Sequence, residues 1–159
     1  MATVLVVDDY PDNRELMVAL LSDHGHTMLE ARDGAEGLQI AQARRPDLVI
    51  TDLVMPVMDG YELVRELRAD PSLATTRVIF CTANFLLDEV RPVAAALGVH
   101  HIVSRPIEPE SLLAAVDTAL AAAPALVPAL PEGFYEKHLR LVSAKLAEKV
   151  RELQAAQDP

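Results

Sequence analysis

Five short runs rich in β-branched residues alternate with five stretches of helical period, and that alternation limits the fold more than any other feature. The runs fall at residues 3–7, 27–30, 48–51, 77–81 and 99–103. Three of them read as continuous apolar segments, as strands covered on both faces of a parallel sheet do, and the 27–30 run carries the weakest pattern. Regular βα alternation with short loops predicts an α/β fold with a doubly wound, five-stranded parallel sheet. In such sheets ligands gather at the carboxyl ends of the strands. Asp8, Asp9, Asp52, Thr82 and Arg105 all fall at those ends.

The helical stretches carry their own punctuation. Pro11 and Pro109 suit first turns of the first and fifth helices. Asp33 followed by Glu36, and Asp59 followed by Glu62, have the spacing of capping boxes for the second and third. The inner stripes are expected to be Leu16, Met17, Leu20 and Leu21 on the first helix and Leu112, Val116 and Leu120 on the fifth. The fourth keeps a helical period through Leu86, Val90, Val93 and Leu97 but contains Pro92. An interior proline costs about 3 kcal/mol. The regular helix is therefore expected to start near Pro92 or to kink there, with residues 84–91 forming a longer loop.

A chain of 159 residues without Trp must build an aliphatic core. The net charge is -10, and residues 1–132 hold nine arginines and no lysine against twenty carboxylates. Such a surface repels nucleic acid and anionic membranes, so direct DNA binding is not expected. One cysteine, Cys81, excludes a disulfide framework and a Cys-based metal site and fits a reducing, cytoplasmic setting. No apolar run reaches spanning length, and no secretory signal pattern opens the chain.

Residues 1–121 read as one domain and 122–132 as a proline-spaced, stiff linker. Residues 133–156 form an amphipathic helix in which Leu139, Val142, Leu146 and Leu153 repeat at near-heptad steps. That helix either packs back on the domain or leads out of it as a short coiled coil, and self-association through residues 134–154 is expected. With only one helix after the domain, the chain is either a stand-alone unit or the start of a longer one.

Three ionised carboxylates at two strand ends, Asp8, Asp9 and Asp52, are costly to hold near a core unless something positive joins them. A divalent, oxygen-seeking cation such as Mg2+ relieves their repulsion and leaves positions open for a phosphate oxygen. Together with these residues, the run Asp52-Leu53-Val54-Met55-Pro56-Val57-Met58-Asp59-Gly60, the pair Thr82-Ala83 and the pair Arg105-Pro106 resemble the receiver domain of two-component response regulators, over about residues 1–121. The resemblance implies a flavodoxin-like fold and a phosphoacceptor signalling domain rather than an enzyme acting on outside substrates. Asp52 would be the nucleophile that accepts the phosphoryl group, and Thr82 and Arg105 its catalytic neighbours. Asp9, Asp8, Asp52 and the backbone carbonyl of Val54 would hold Mg2+. A sensor histidine kinase or phosphohistidine protein would be the donor. Output would pass through helix 4, strand 5, helix 5 and the C-terminal helix, in a homodimer.

Two positions depart from the family pattern. Arg105 stands where receivers carry lysine, and a planar fork is not equivalent to a point charge at a phosphate. Ile102 stands where many carry an aromatic switch residue, just after His100 and His101. Two rivals follow. One is a phosphorylation-independent pseudo-receiver acting as an interaction module. The other is an aspartyl hydrolase or phosphotransferase, disfavoured because Val54 occupies the place of its acid and no cap domain is present. No glycine-rich loop follows the first strand, which argues against nucleotide binding.

Overall fold

The computed structural model describes residues 2–55, 57–83 and 87–122. The linker beyond Ala122 and the helix expected over 133–156 lie outside them, as do Pro56, Asn84 and Leu86. In chain order the elements are β1 (Thr3–Val7), α1 (Pro11–Asp23), β2 (Thr27–Ala31), α2 (Gly34–Arg44), β3 (Leu48–Asp52), α3 (Gly60–Ala69), β4 (Arg77–Ala83), α4 (Leu87–Ala96), β5 (His101–Arg105) and α5 (Pro109–Ala121). All strand pairs are parallel, in the order β2-β1-β3-β4-β5. The chain reverses its direction of winding between β1 and β3, where a crevice opens at the strand ends.

Strand alternation divides the core in two. Leu5, Val7, Val49, Val78 and Phe80 face α2, α3 and α4, packing with Ala41, Leu63, Val64, Leu67, Val90 and Ala94. Val4, Val6, Leu48, Ile50 and Ile79 face α1 and α5, packing with Met17, Leu21, Leu112, Val116 and Ala119. Tyr61 and Phe80 meet edge to face at 5.5 Å between ring centroids. Leu16 does not join the inner stripe of α1. It is exposed because Met17, Val18, Leu20 and Leu21 take the sheet-facing arc, and Leu16 falls on the solvent side of it.

Both Asp caps form, but neither box closes with its Glu accepting from its own cap amide among the described residues. Asp33 accepts from the Glu36 amide at 2.8 Å and Asp59 from the Glu62 amide at 2.8 Å. The return arm of Glu36, however, accepts from the Arg32 amide, one residue before the cap.

Three boundary differences change how residues are used, while β2, β3 and β5 also end later than expected, at Ala31, Asp52 and Arg105. β4 continues to Ala83, so Thr82 lies inside the strand rather than after it, paired with Ser104. β5 begins at His101, not Val99. The cause is the end of α4: Gly98 adopts φ 74°, and the Val99 amide donates to the Ala94 carbonyl at 2.8 Å, the closing bond of a Schellman motif. Val99 therefore serves the helix end and not the strand. The third correction concerns Pro92. The helix spans Leu87–Ala96 and runs through the proline, so residues 87–91 are helical rather than loop. Only the bond to the Asp88 carbonyl, in the first turn, is forfeited, while Val90, Val93 and Ala94 are buried.

Candidate functional site

The apolar run of β1 delivers Asp8 and Asp9 immediately beyond Val7, and β3 delivers Asp52 as its last residue. Because β1 and β3 are neighbours, the three carboxylates converge, with an oxygen of each within 4.8 Å of the others. Asp8 and Asp52 are buried and Asp9 is half-buried. Asp8 is fixed by its own local turn: Oδ1 accepts from the Tyr10 amide at 2.8 Å, and its carbonyl accepts from Arg14 Nη1 at 2.8 Å. Its Oδ2 is buried and accepts no hydrogen bond among the described residues.

Across the crevice, Arg105 at the end of β5 donates from Nη2 to Asp52 Oδ1 at 2.8 Å. The same oxygen accepts from the Leu53 amide at 2.7 Å. Burial pushes the Asp52 carboxyl up to about 7; Arg105 pulls in the opposite direction without cancelling it, and Asp8 adds to the rise. Asp8 is raised by burial too. Cys81, beside Asp52 on β4, is a packing residue whose thiol is pushed up to about 12 by burial.

An orphaned, buried acceptor on Asp8 and three converging carboxylates make a donor set suited to a hard divalent cation such as Mg2+. The geometry joins Asp8, Asp9, Asp52 and Arg105 in one cluster. Thr82 is buried on β4, one position beyond the partner of Asp52, and Val54 lies two residues after Asp52, partly exposed.

A family model described as the response regulator receiver domain matches residues 4–117. The chain belongs to the response regulator receiver family. Protein PilH of Pseudomonas aeruginosa is 33% identical over 122 residues, covering 76% of this chain and 99% of PilH. Response regulator Rre1 of Synechocystis is 32% identical over 157 residues, covering 98% of this chain and 63% of Rre1. The structure of the chemotaxis protein CheY4 of Vibrio cholerae superposes with a TM-score of 0.70 at 33% identity, covering 75% of this chain and 98% of that one. The fold is thus the flavodoxin-like receiver fold, and its two-component signalling role follows from the family.

Sequence reasoning missed two parts of this receiver. The Leu53 amide as a second donor to Asp52 leaves no trace in side-chain chemistry. The other is the backbone of Val57, which holds φ 73° although its side chain is β-branched and 82% exposed. Left-handed backbone at such a residue is strained by about 1–2 kcal/mol. The loop cannot relax it away, because its flanks are tied down: Met58 O accepts from the Gly34 amide at 3.1 Å and Leu53 O from the Gly60 amide at 3.0 Å. Val57→Gly is therefore expected to stabilise the domain by about 0.5–1 kcal/mol after the added chain entropy of glycine is subtracted, read by urea unfolding. An unchanged or lowered midpoint would refute the strain.

Proposed function

We propose that the chain is a phosphoaccepting receiver in which a histidine kinase or phosphohistidine protein transfers its phosphoryl group to Asp52 with the help of Mg2+. The observation that carries this reading is the convergence of Asp8, Asp9 and Asp52 with Arg105 on Asp52. Bound Mg2+ would neutralise the carboxylates and the incoming phosphoryl oxygens. Asp8, Asp9, Asp52 and the Val54 carbonyl would hold it. An oxygen of Asp52 attacks phosphorus, the P–N bond to the donor imidazole breaks, and the imidazole leaves with its electron pair and is protonated. Thr82 would donate its hydroxyl to a phosphoryl oxygen, and the strand register carries any shift of β4 to β5 and the face formed by α4, β5 and α5. Ile102 packs into the core as an aliphatic residue and offers no ring to swing.

Incubation with a small acyl phosphate and Mg2+, followed by intact mass measurement, tests the assignment. One phosphoryl adduct on wild type, absent from Asp52→Asn and from a sample with EDTA, is expected. A second reading, the phosphorylation-independent pseudo-receiver, is favoured by one observation: Arg105 already occupies Asp52 Oδ1. An adduct on Arg105→Lys but none on wild type would select it.

We further place a linker at 122–132 and a self-associating helix at 133–156, with the protein acting in the cytoplasm. No helix among the described residues is long and apolar enough to cross a membrane. Sedimentation should give a dimer for the full chain and a monomer for a version ending at Ala123. Equal, monomeric masses would remove the homodimer.

A further inference from the structure

The turn that carries Asp8 and Asp9 lies past the end of the strand ladder, yet Asp8 is tied there at three points. Its amide donates to Ala31 O at 3.1 Å, and its Oδ1 accepts from the Tyr10 amide at 2.8 Å. The Asp8 carbonyl has no strand partner, since β1 ends at Val7. Arg14 Nη1 supplies the missing donor at 2.8 Å, reaching back from the start of α1. The Arg14 amide meanwhile donates to Tyr10 O at 3.1 Å. One residue thus grips the turn at both ends, through its side chain at Asp8 and its backbone at Tyr10. Asp9 sits between those two points. The Asp8 carboxylate keeps one buried oxygen, Oδ2, without a hydrogen bond among the described residues.

A guanidinium is an awkward neighbour for a cation site, because its charge repels the metal. What Arg14 offers the acidic cluster is therefore geometry and not charge. Its other arm points the charge away from the cluster: Nε donates to Glu30 Oε1 at 3.3 Å, on the edge strand β2. The Arg14 side chain is only 15% exposed, so the guanidinium is held between a carbonyl and a carboxylate and does not wander in solvent.

We infer that Arg14 is a positioning residue for the Mg2+ site. It fixes the Asp8–Asp9 turn so that both carboxylates are set before the metal arrives, and Glu30 orients its guanidinium. This inference rests on the proposed Mg2+-dependent phosphoacceptor reading, but its test reads metal affinity and does not require phosphorylation.

Titration calorimetry with Mg2+ on the full chain, at about pH 8.5 to limit proton release from the carboxylates, compares wild type with two variants. Arg14→Met keeps the apolar stem and removes the donors and the charge. Its Mg2+ Kd is expected to rise about tenfold, as when a group that orients a metal ligand is lost. Arg14→Lys keeps a donor for the Asp8 carbonyl and should stay within about threefold of wild type. The sign is decisive, because loss of the charge alone would tighten binding. An equal or lower Kd in Arg14→Met would overturn the inference. So would a loss in Arg14→Lys as large as that in Arg14→Met, the pattern of a general disturbance of α1. The second arm needs no variant and stands even if Arg14→Met fails to fold. In wild type the Arg14 guanidinium should give separate Nη1 and Nη2 NMR resonances with and without Mg2+, as a group held on both sides does. A single averaged Nη resonance in the Mg2+-free protein would also overturn the inference. If Asp52 takes no phosphoryl group while Arg14→Met weakens Mg2+ binding, the phosphoacceptor reading falls and the positioning role stands. An Asp52 adduct with equal affinities would do the reverse, and a wild type that binds no Mg2+ would remove both.

Discussion

Gly60→Ala is expected to destabilise the domain by about 3 kcal/mol, on the order of 10 °C in Tm, a loss larger than ordinary overpacking. A Cβ at this position would lie 2.3 Å from the Asp52 carbonyl oxygen and 3.1 Å from the Leu53 Cα. These are backbone atoms, with no rotamer available for retreat. The carbonyl is further held by the Thr51 hydroxyl, which donates to it at 2.9 Å, and the Gly60 amide donates to Leu53 O at 3.0 Å. Relief must come from moving the end of β3, which carries the Asp52 carboxylate. The variant should therefore also take up acyl phosphate more slowly, even at temperatures where it is folded. Gly37→Ala provides the contrast, since its Cβ would meet Val7 Cγ2 at 2.9 Å, a side-chain contact that can shift. The helix-propensity gain offsets part of that, leaving the change within about 1 kcal/mol of zero. Thermal unfolding of both variants checks the pair, and a Gly60→Ala loss no greater than that of Gly37→Ala would refute the backbone clash.

In EDTA, the stability of Asp52→Asn relative to wild type is expected to rise by about 2–4 kcal/mol between pH 4 and pH 8. Burial lifts the Asp52 carboxyl from its ordinary 3.8 to about 7 in the folded chain. Between those values the folded chain binds a proton that the unfolded chain has released. Wild type therefore loses stability as pH climbs from about 4 to about 7, and the loss levels off above. Asparagine has no proton to lose, so the gap between the two proteins opens over the same window. Asp8, raised in the same direction, titrates in both proteins and drops out of the difference to first order. Saturating Mg2+ should close the gap, because a cation favours the ionised carboxylate and stabilises only the folded wild type. Urea unfolding at intervals of pH, with and without Mg2+, measures it. A difference flat with pH would show that Arg105 and solvent already compensate the buried charge.

The order and kind of the elements were legible in the chain because they rest on local periodicity. Alternating β-branched runs and helical stripes specify strands and helices within a few residues, and prolines and Asp caps mark the helix starts. The acidic site was legible for the same reason: Asp8, Asp9 and Asp52 stand where apolar runs stop, and a parallel sheet collects such ends on one rim. The Met55-Pro56 and Asp59-Gly60 context made the family recognisable.

Tertiary structure alone decided which polar atoms share an oxygen. Arg105 lies 53 residues from Asp52 and reaches it only because β3, β4 and β5 are adjacent and in register. The raised Asp52 carboxyl, the left-handed Val57 and the use of Val99 to close α4 likewise depend on neighbours that periodicity does not name. Local pattern encodes the conformation of each segment, whereas contacts between strand ends depend on strand order and register, which exist only once the segments have packed.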